Sequence, residues 1–218
     1  MQAALDVLYL TCPGVKLEEK DAPRLRGFLA GQNRGEASLH NHRQEGGFYY
    51  QYPFVQYKIL SGVPTVVAWG DGIRAVIETA PELRTMQIGN ETYPMSQDYL
   101  IRRLPIGDCG EPVQYRFATS WAALNEQNYA RYLDMDDLER AELLRKTLAG
   151  NILSMAKGIG LTVENRLECR CWLRETTLQL KGREMVGFTG HFSVNYLIPD
   201  LFGLGKSTAR GFGTVLKG

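Results

Sequence analysis

Three histidines stand in the 218-residue chain, and two of them sit two residues apart in Ser38-Leu39-His40-Asn41-His42-Arg43, with Tyr49 shortly after. Imidazole titrates near neutrality, so it can take or give a proton at working pH. On an extended chain, residues i and i+2 point to the same side. Two imidazoles so placed can flank one phosphodiester. One removes the proton of a ribose 2′-OH as it attacks phosphorus, and the other protonates the leaving 5′-oxygen. A further group must hold the extra charge of the phosphorane, and Tyr49, Arg43 and Lys58 are the candidates. From these residues alone, a solvated loop is the simpler reading, and two metal ligands are a third. A metal needs more ligands, and no spacing organises Glu36, Glu45 and Cys12 around the pair. The pattern therefore calls for no metal and no cofactor.

A second chemical feature closes the chain. Residues 203–213 read Gly-Leu-Gly-Lys-Ser-Thr-Ala-Arg-Gly-Phe-Gly. Glycines let a backbone approach a ligand closely, and successive N–H groups can cradle phosphate oxygens. Lys206 and Arg210 supply charge, and Ser207 and Thr208 supply donors. Gly205-Lys206-Ser207 matches the end of a Walker A loop, but Asp200 stands at the first glycine position and no helix follows. A dinucleotide-binding loop fails likewise, since it must open a helix. Polyanion binding is favoured over a glycine-rich sheet closure.

The elements that must position these loops are short and alternate in type. Residues 4–10 read as a strand, and a helix starts at Pro23 with Asp21 as N-cap and Gly31 as its stop. Residues 31–47 form a polar loop, or a loop flanking a short strand around His40. Strands are expected within 48–60 and 64–69, a helix over 73–79, a hairpin over 83–93 and a strand over 99–104. Residues 105–112, dense in Pro and Gly, read as a linker. Beyond it come a strand at 113–119 and helices at 125–133 and 136–157. Leu144, Leu148, Ile152 and Met155 lie along one stripe of the longer helix. Gly150 inside it suggests a close packing contact. Three strands follow (167–173, 177–180, 185–196), then the glycine loop and a last strand. Both halves are α+β, and the first has the β-α-β-β-α-β order of a ferredoxin-like fold. The expected domains are 1–105, carrying the histidine loop, and 112–218, carrying the glycine-rich loop.

Composition narrows the class. The chain is 44% hydrophobic and 22% charged, with a formal net charge of +1, so it is globular and has no bulk attraction for nucleic acid. Residues 181–218 carry a local +3. No apolar run reaches membrane-spanning length and no signal peptide is legible, so a cytoplasmic protein without a membrane partner is expected. Cys12, Cys109, Cys169 and Cys171 have no C-x-x-C spacing, which removes zinc knuckles and thioredoxin-type sites. His191 falls in an apolar segment and reads as structural. Trp69, Trp121 and Trp172 read as core.

The pattern G-x-G-x-x-x-x-x-G-x-G at the C-terminus, with an aromatic residue between the last two glycines, resembles the signature loop of the CRISPR-associated repeat endoribonucleases, the "Cas-six" family. The matching residues are Gly203, Gly205, Gly211, Phe212 and Gly213. The resemblance extends over the whole chain in layout. It implies two tandem ferredoxin-like, RRM-like domains with a C-terminal glycine-rich loop. It also implies cleavage of precursor CRISPR RNA within its repeats, without metal, leaving 5′-hydroxyl and 2′,3′-cyclic phosphate ends. One subgroup resembles this chain in carrying His-x-His with a following Tyr, which assigns catalysis to His40, His42 and Tyr49. RNA binding falls to Gly203, Gly205, Lys206, Ser207, Arg210, Gly211, Phe212 and Gly213. The expected partner is CRISPR repeat RNA, with interference-complex subunits or a second copy of the chain also open. The rival is a non-catalytic protein of the same fold that retains guide RNA. A small-molecule-binding ferredoxin-like domain is more distant, having no use for a basic terminal loop.

Overall fold

A computed structural model describes residues 2–33, 35–40, 52–180 and 183–218. Its chain divides into two units. The N-terminal unit comprises residues 4–104 together with Thr208–Gly211, and the C-terminal unit holds residues 1–3, 105–207 and 212–218.

In the N-terminal unit, β1 (Gln2–Thr11) leads to α1 (Ala22–Gln32), the short α2 (Ala37–His40), β2 (Val55–Leu60), β3 (Val63–Trp69) and α3 (Asp71–Thr79). A separate hairpin of β4 (Thr85–Ile88) and β5 (Glu91–Pro94) precedes β6 (Asp98–Trp121). The strand order is β2-β3-β1-β6, with β3 antiparallel to both its neighbours. That is a ferredoxin-like sheet. Alternation decides its faces. Leu8, Leu10, Tyr57, Ile59, Val66 and Ala68 form one core with Leu25 and Leu29 of α1 and Ala75 and Val76 of α3. Pro23 occupies the first turn of α1, where its missing N–H costs nothing.

The C-terminal unit repeats the plan. β6 supplies its first strand, followed by α4 (Glu126–Leu133), α5 (Asp137–Ile159), β7 (Arg170–Leu180), β8 (Arg183–Leu197) and β9 (Val215–Lys217). The antiparallel order is β9-β6-β8-β7. The slot between third and fourth strands, which α3 fills in the first unit, holds the glycine-rich loop here. α5 is capped by Asp136, whose Oδ1 accepts from Glu139 N at 2.9 Å while Glu139 Oε2 accepts from Asp136 N at 3.1 Å. Its Leu144, Leu148, Ile152 and Met155 are buried as the stripe predicts. The sheet of this unit buries Tyr115, Phe117 and Phe192, with the tilted Phe117–Phe192 rings 5.1 Å apart between centroids.

Several expectations are corrected. Residues 105–112 are no linker but the middle of β6, where a register shift between Asp108 and Val113 absorbs the turn-forming residues. The three strands expected over 167–196 are two, β7 and β8, in one long pairing. α1 runs through Gly31 to Gln32, and α5 ends at Gly160. A Cβ at Gly150 would meet nothing within 4 Å, so no packing contact explains it. Of the two readings for the segment before His40, the strand fails: Ala37–His40 is helical. Trp172 is 54% exposed rather than core, and His191 is exposed too.

Candidate RNA-binding and cleavage site

The glycine loop is built as a stem with an apex. Gly203 forms an antiparallel bridge with Thr214, Leu204 N donates to Gly213 O at 2.8 Å, and Val215 N donates to Phe202 O at 2.9 Å. Gly203 and Gly213 thus lie on the two arms of the stem, each one residue out of register with the other. Gly213 has φ +64°, and a Cβ there would stand 2.0 Å from the Leu204 carbonyl oxygen. No other residue fits that position. In the C-terminal unit the stem is held by Gly213 N donating to Ser120 O at 2.9 Å and Thr214 N donating to Thr119 Oγ1 at 2.9 Å. Lys206 is exposed while its N–H donates to Ala122 O at 3.2 Å. Partial burial holds its ammonium below the usual lysine value, with Glu126 opposing that shift. Ser207 takes a left-handed φ of 57°, costly for a residue with a side chain.

The apex residues Thr208–Gly211 belong to the N-terminal unit, with Thr208–Arg210 forming one 3-10 turn. Gly211 has φ +91°, and a Cβ there would lie 3.1 Å from Tyr57 O and 3.2 Å from Ala22 Cβ. Glycine is therefore required for this turn to lie against β2 and α1. Arg210 is half-buried, and its charge acts on Arg26 of α1. Burial, and then that like charge, hold the Arg26 guanidinium below its ordinary value. Two guanidiniums held near each other in this way favour an anion placed on them.

Tyr57 ties this apex to the histidine segment. Its carbonyl borders Gly211, while its buried hydroxyl donates to Leu39 O at 3.2 Å. Burial pushes the Tyr57 hydroxyl far up, against the pull of Arg26, so it stays a neutral donor. Leu39 is itself buried in the core, and Glu36, just before α2, pairs with Arg74 of α3 at 3.5 Å. His40 is the last residue of the helix so anchored. The side chain of His40, and all of His42, Arg43 and Tyr49, lie outside the described residues.

Of the expected RNA-binding residues, Gly203, Gly205, Lys206, Ser207, Phe212 and Gly213 fall in the C-terminal unit, and Arg210 and Gly211 in the N-terminal unit. Lys58 cannot serve as the charge stabiliser. It is 0% exposed, donates to Gln56 Oε1 at 3.0 Å, and is pushed down to about 7 by burial. Sequence reasoning missed Arg26 and Tyr57, whose roles arise only when residue 210 folds back beside α1 and β2. Among the described residues, no three His, Cys, Asp or Glu side chains converge as a metal ion would require. No helix among them is long and apolar enough to cross a membrane.

Comparison with known proteins agrees with this layout. Residues 3–103 match the model of the Cas6b N-terminal domain, and residues 109–218 match that of the Cas6b C-terminal domain. A crystal structure of Cas6b superposes with a TM-score of 0.92 at 34% identity, covering 99% of this chain and 100% of that one. The crystal structure of a CRISPR RNA processing endoribonuclease Cas6b gives a TM-score of 0.81 at 30% identity, with the same coverage. An uncharacterised protein of Methanocaldococcus jannaschii, MJ0978, is 36% identical over 137 residues, which are 62% of this chain and 93% of the relative.

Proposed function

The chain belongs to the Cas6b family, and from that premise we propose that it is a metal-independent endoribonuclease cutting precursor CRISPR RNA within its repeats. The ribose 2′-oxygen attacks the adjacent phosphorus, and the bond from phosphorus to the 5′-oxygen breaks. His40 and His42 divide the two proton transfers, one receiving the 2′-OH proton and the other protonating the departing 5′-oxygen. Tyr49 orients the phosphate by a hydrogen bond. The products carry 5′-hydroxyl and 2′,3′-cyclic phosphate ends, and no water enters. Arg210 and Arg26 hold phosphate of the bound strand, Lys206 adds charge, and the glycine loop fixes the backbone that presents them.

The observation that carries this reading is the double role of Tyr57, whose carbonyl borders the loop apex and whose hydroxyl holds the helix ending in His40. The turn carrying Arg210 and the helix that ends in His40 are thereby both anchored to β2, which supports assigning them to one site. The test is incubation of labelled repeat RNA with the protein in excess EDTA. Cleavage should persist in chelator, should leave a cyclic phosphate, and should stop when the nucleotide at the cut carries a 2′-deoxyribose. Cleavage of the 2′-deoxy substrate would overturn the mechanism. Tight binding without cleavage of any repeat RNA would place the chain among non-catalytic guide-RNA holders.

A further inference from the structure

The C-terminal sheet has one face against α5 and one face open. On the open face, cross-strand register places Leu216 of β9, Arg116 of β6, His191 of β8 and Trp172 of β7 in one row. Arg170 and Arg174 flank Trp172 on the same side of β7, two residues away in each direction. Arg116, His191, Arg170 and Arg174 are exposed, and Trp172 is 54% exposed. Neighbouring strands lie about 4.8 Å apart, so the row spans about 14 Å. Among the described residues of β7, β8 and β9 that share this face, none is a carboxylate.

That combination points to a ligand. A tryptophan left open on a folded sheet forgoes the burial that its kind usually finds. Trp69 and Trp121 obtain that burial, at 6% and 0% exposure. Three arginines around Trp172, against one exposed acid two residues before Arg170, Glu168, leave a net positive field on this face. A flat indole bordered by guanidiniums suits an unpaired nucleobase, whose ring stacks while its phosphate meets the cations. We infer that this sheet face is a second RNA-binding surface, on which a single-stranded stretch of the same transcript stacks a base on Trp172. Arg116, Arg170 and Arg174 take its phosphates. The inference rests on the RNA-processing reading but on none of the residues assigned to cleavage.

Fluorescence makes the test direct, because the other two tryptophans are buried. The full chain is titrated with two non-cleavable repeat RNAs carrying a 2′-deoxy nucleotide at the cut, one bare and one extended by unpaired adenosines. The extended RNA should quench tryptophan emission and bind about five- to 150-fold more tightly than the bare repeat. Trp172→Ala should abolish both differences while leaving bare-repeat affinity unchanged, and Trp172→Phe should keep most of the affinity gain without the quench. Joint Arg116→Ala, Arg170→Ala and Arg174→Ala should flatten the salt dependence of the extended RNA alone. An extension that adds no affinity to the wild type overturns the inference while the bare repeat still binds. A Trp172→Ala protein that keeps the gain, yet loses self-association in sedimentation, overturns it too and gives the face to a second copy. Failure of the wild type to bind either RNA would remove this inference together with the function it rests on.

Discussion

The two units share a strand order and differ in what fills the last connection and the second face of the sheet. In the N-terminal unit, α3 packs Ala75 and Val76 into the core, and the sheet face away from the helices carries Val7, Gln56, Lys58 and Val67, all buried. In the C-terminal unit a glycine loop stands where that helix would be, and the sheet face away from α5 exposes Trp172, His191 and Arg116, Arg170 and Arg174. Replacing a helix by a loop gives up apolar burial and gains a turn whose backbone and cations can face a polyanion. The contrast shows where this unit gives up packing: once in the second copy's last connection, and again on its free sheet face.

The largest effect that sharpens this contrast comes from the loop stem. Gly213→Val must move either the Leu204 carbonyl or the whole stem. It should destabilise the protein by more than about 2 kcal/mol in denaturant melts. A neutral result would mean that the loop is loosely held and the stem is incidental.

Burial of Lys58 in the other sheet predicts a pH signature. Its native pKa, about 7, lies below the ordinary lysine value near 10.5, so the unfolded chain binds more protons between those limits. Stability contributed through Lys58 therefore rises with pH across that window and falls as pH drops toward about 7, with a limiting slope of about 1.4 kcal/mol per pH unit. Lys58→Met should remove that slope from chemical denaturation measured between pH 7 and 10. An unchanged slope would contradict the buried state of this lysine.

Smaller effects concern the cations of the apex. Arg26→Ala and Arg210→Ala should each lower the salt slope of repeat-RNA binding by roughly one unit and weaken many RNAs alike. If Arg210→Ala acts and Arg26→Ala does not, the proximity of the two guanidiniums has no bearing on RNA. The smallest change is favourable. Gly150→Ala enters open space in α5, and it should stabilise by about 0.5–1 kcal/mol.

Much of this was legible because local rules and tertiary structure agree. The buried stripe of α5 follows from its period, and the glycine pattern survives because sterics at Gly211 and Gly213 admit nothing larger. β6 was not legible as one strand, since Pro105, Gly107, Gly110 and Pro112 read as turn formers while tertiary pairing tolerates them at a register shift. Arg26 carries no local mark, because its neighbour Arg210 comes from the other end of the chain. Trp172 did carry one. In Arg170-Cys171-Trp172-Leu173-Arg174 the indole shares the parity of the arginines, so alternation already assigned it to the wet face. The habit of placing every tryptophan in the core hid that signal.

The central claim is that the glycine loop binds and the histidines cut. Single-turnover cleavage of repeat RNA at saturating enzyme, with affinity measured in parallel on the 2′-deoxy substrate, tests it on the His40→Ala, His42→Ala double variant. The account predicts affinity within twofold of wild type and a rate lower by about 10²–10⁴. A double variant that cuts at the wild-type rate would contradict it.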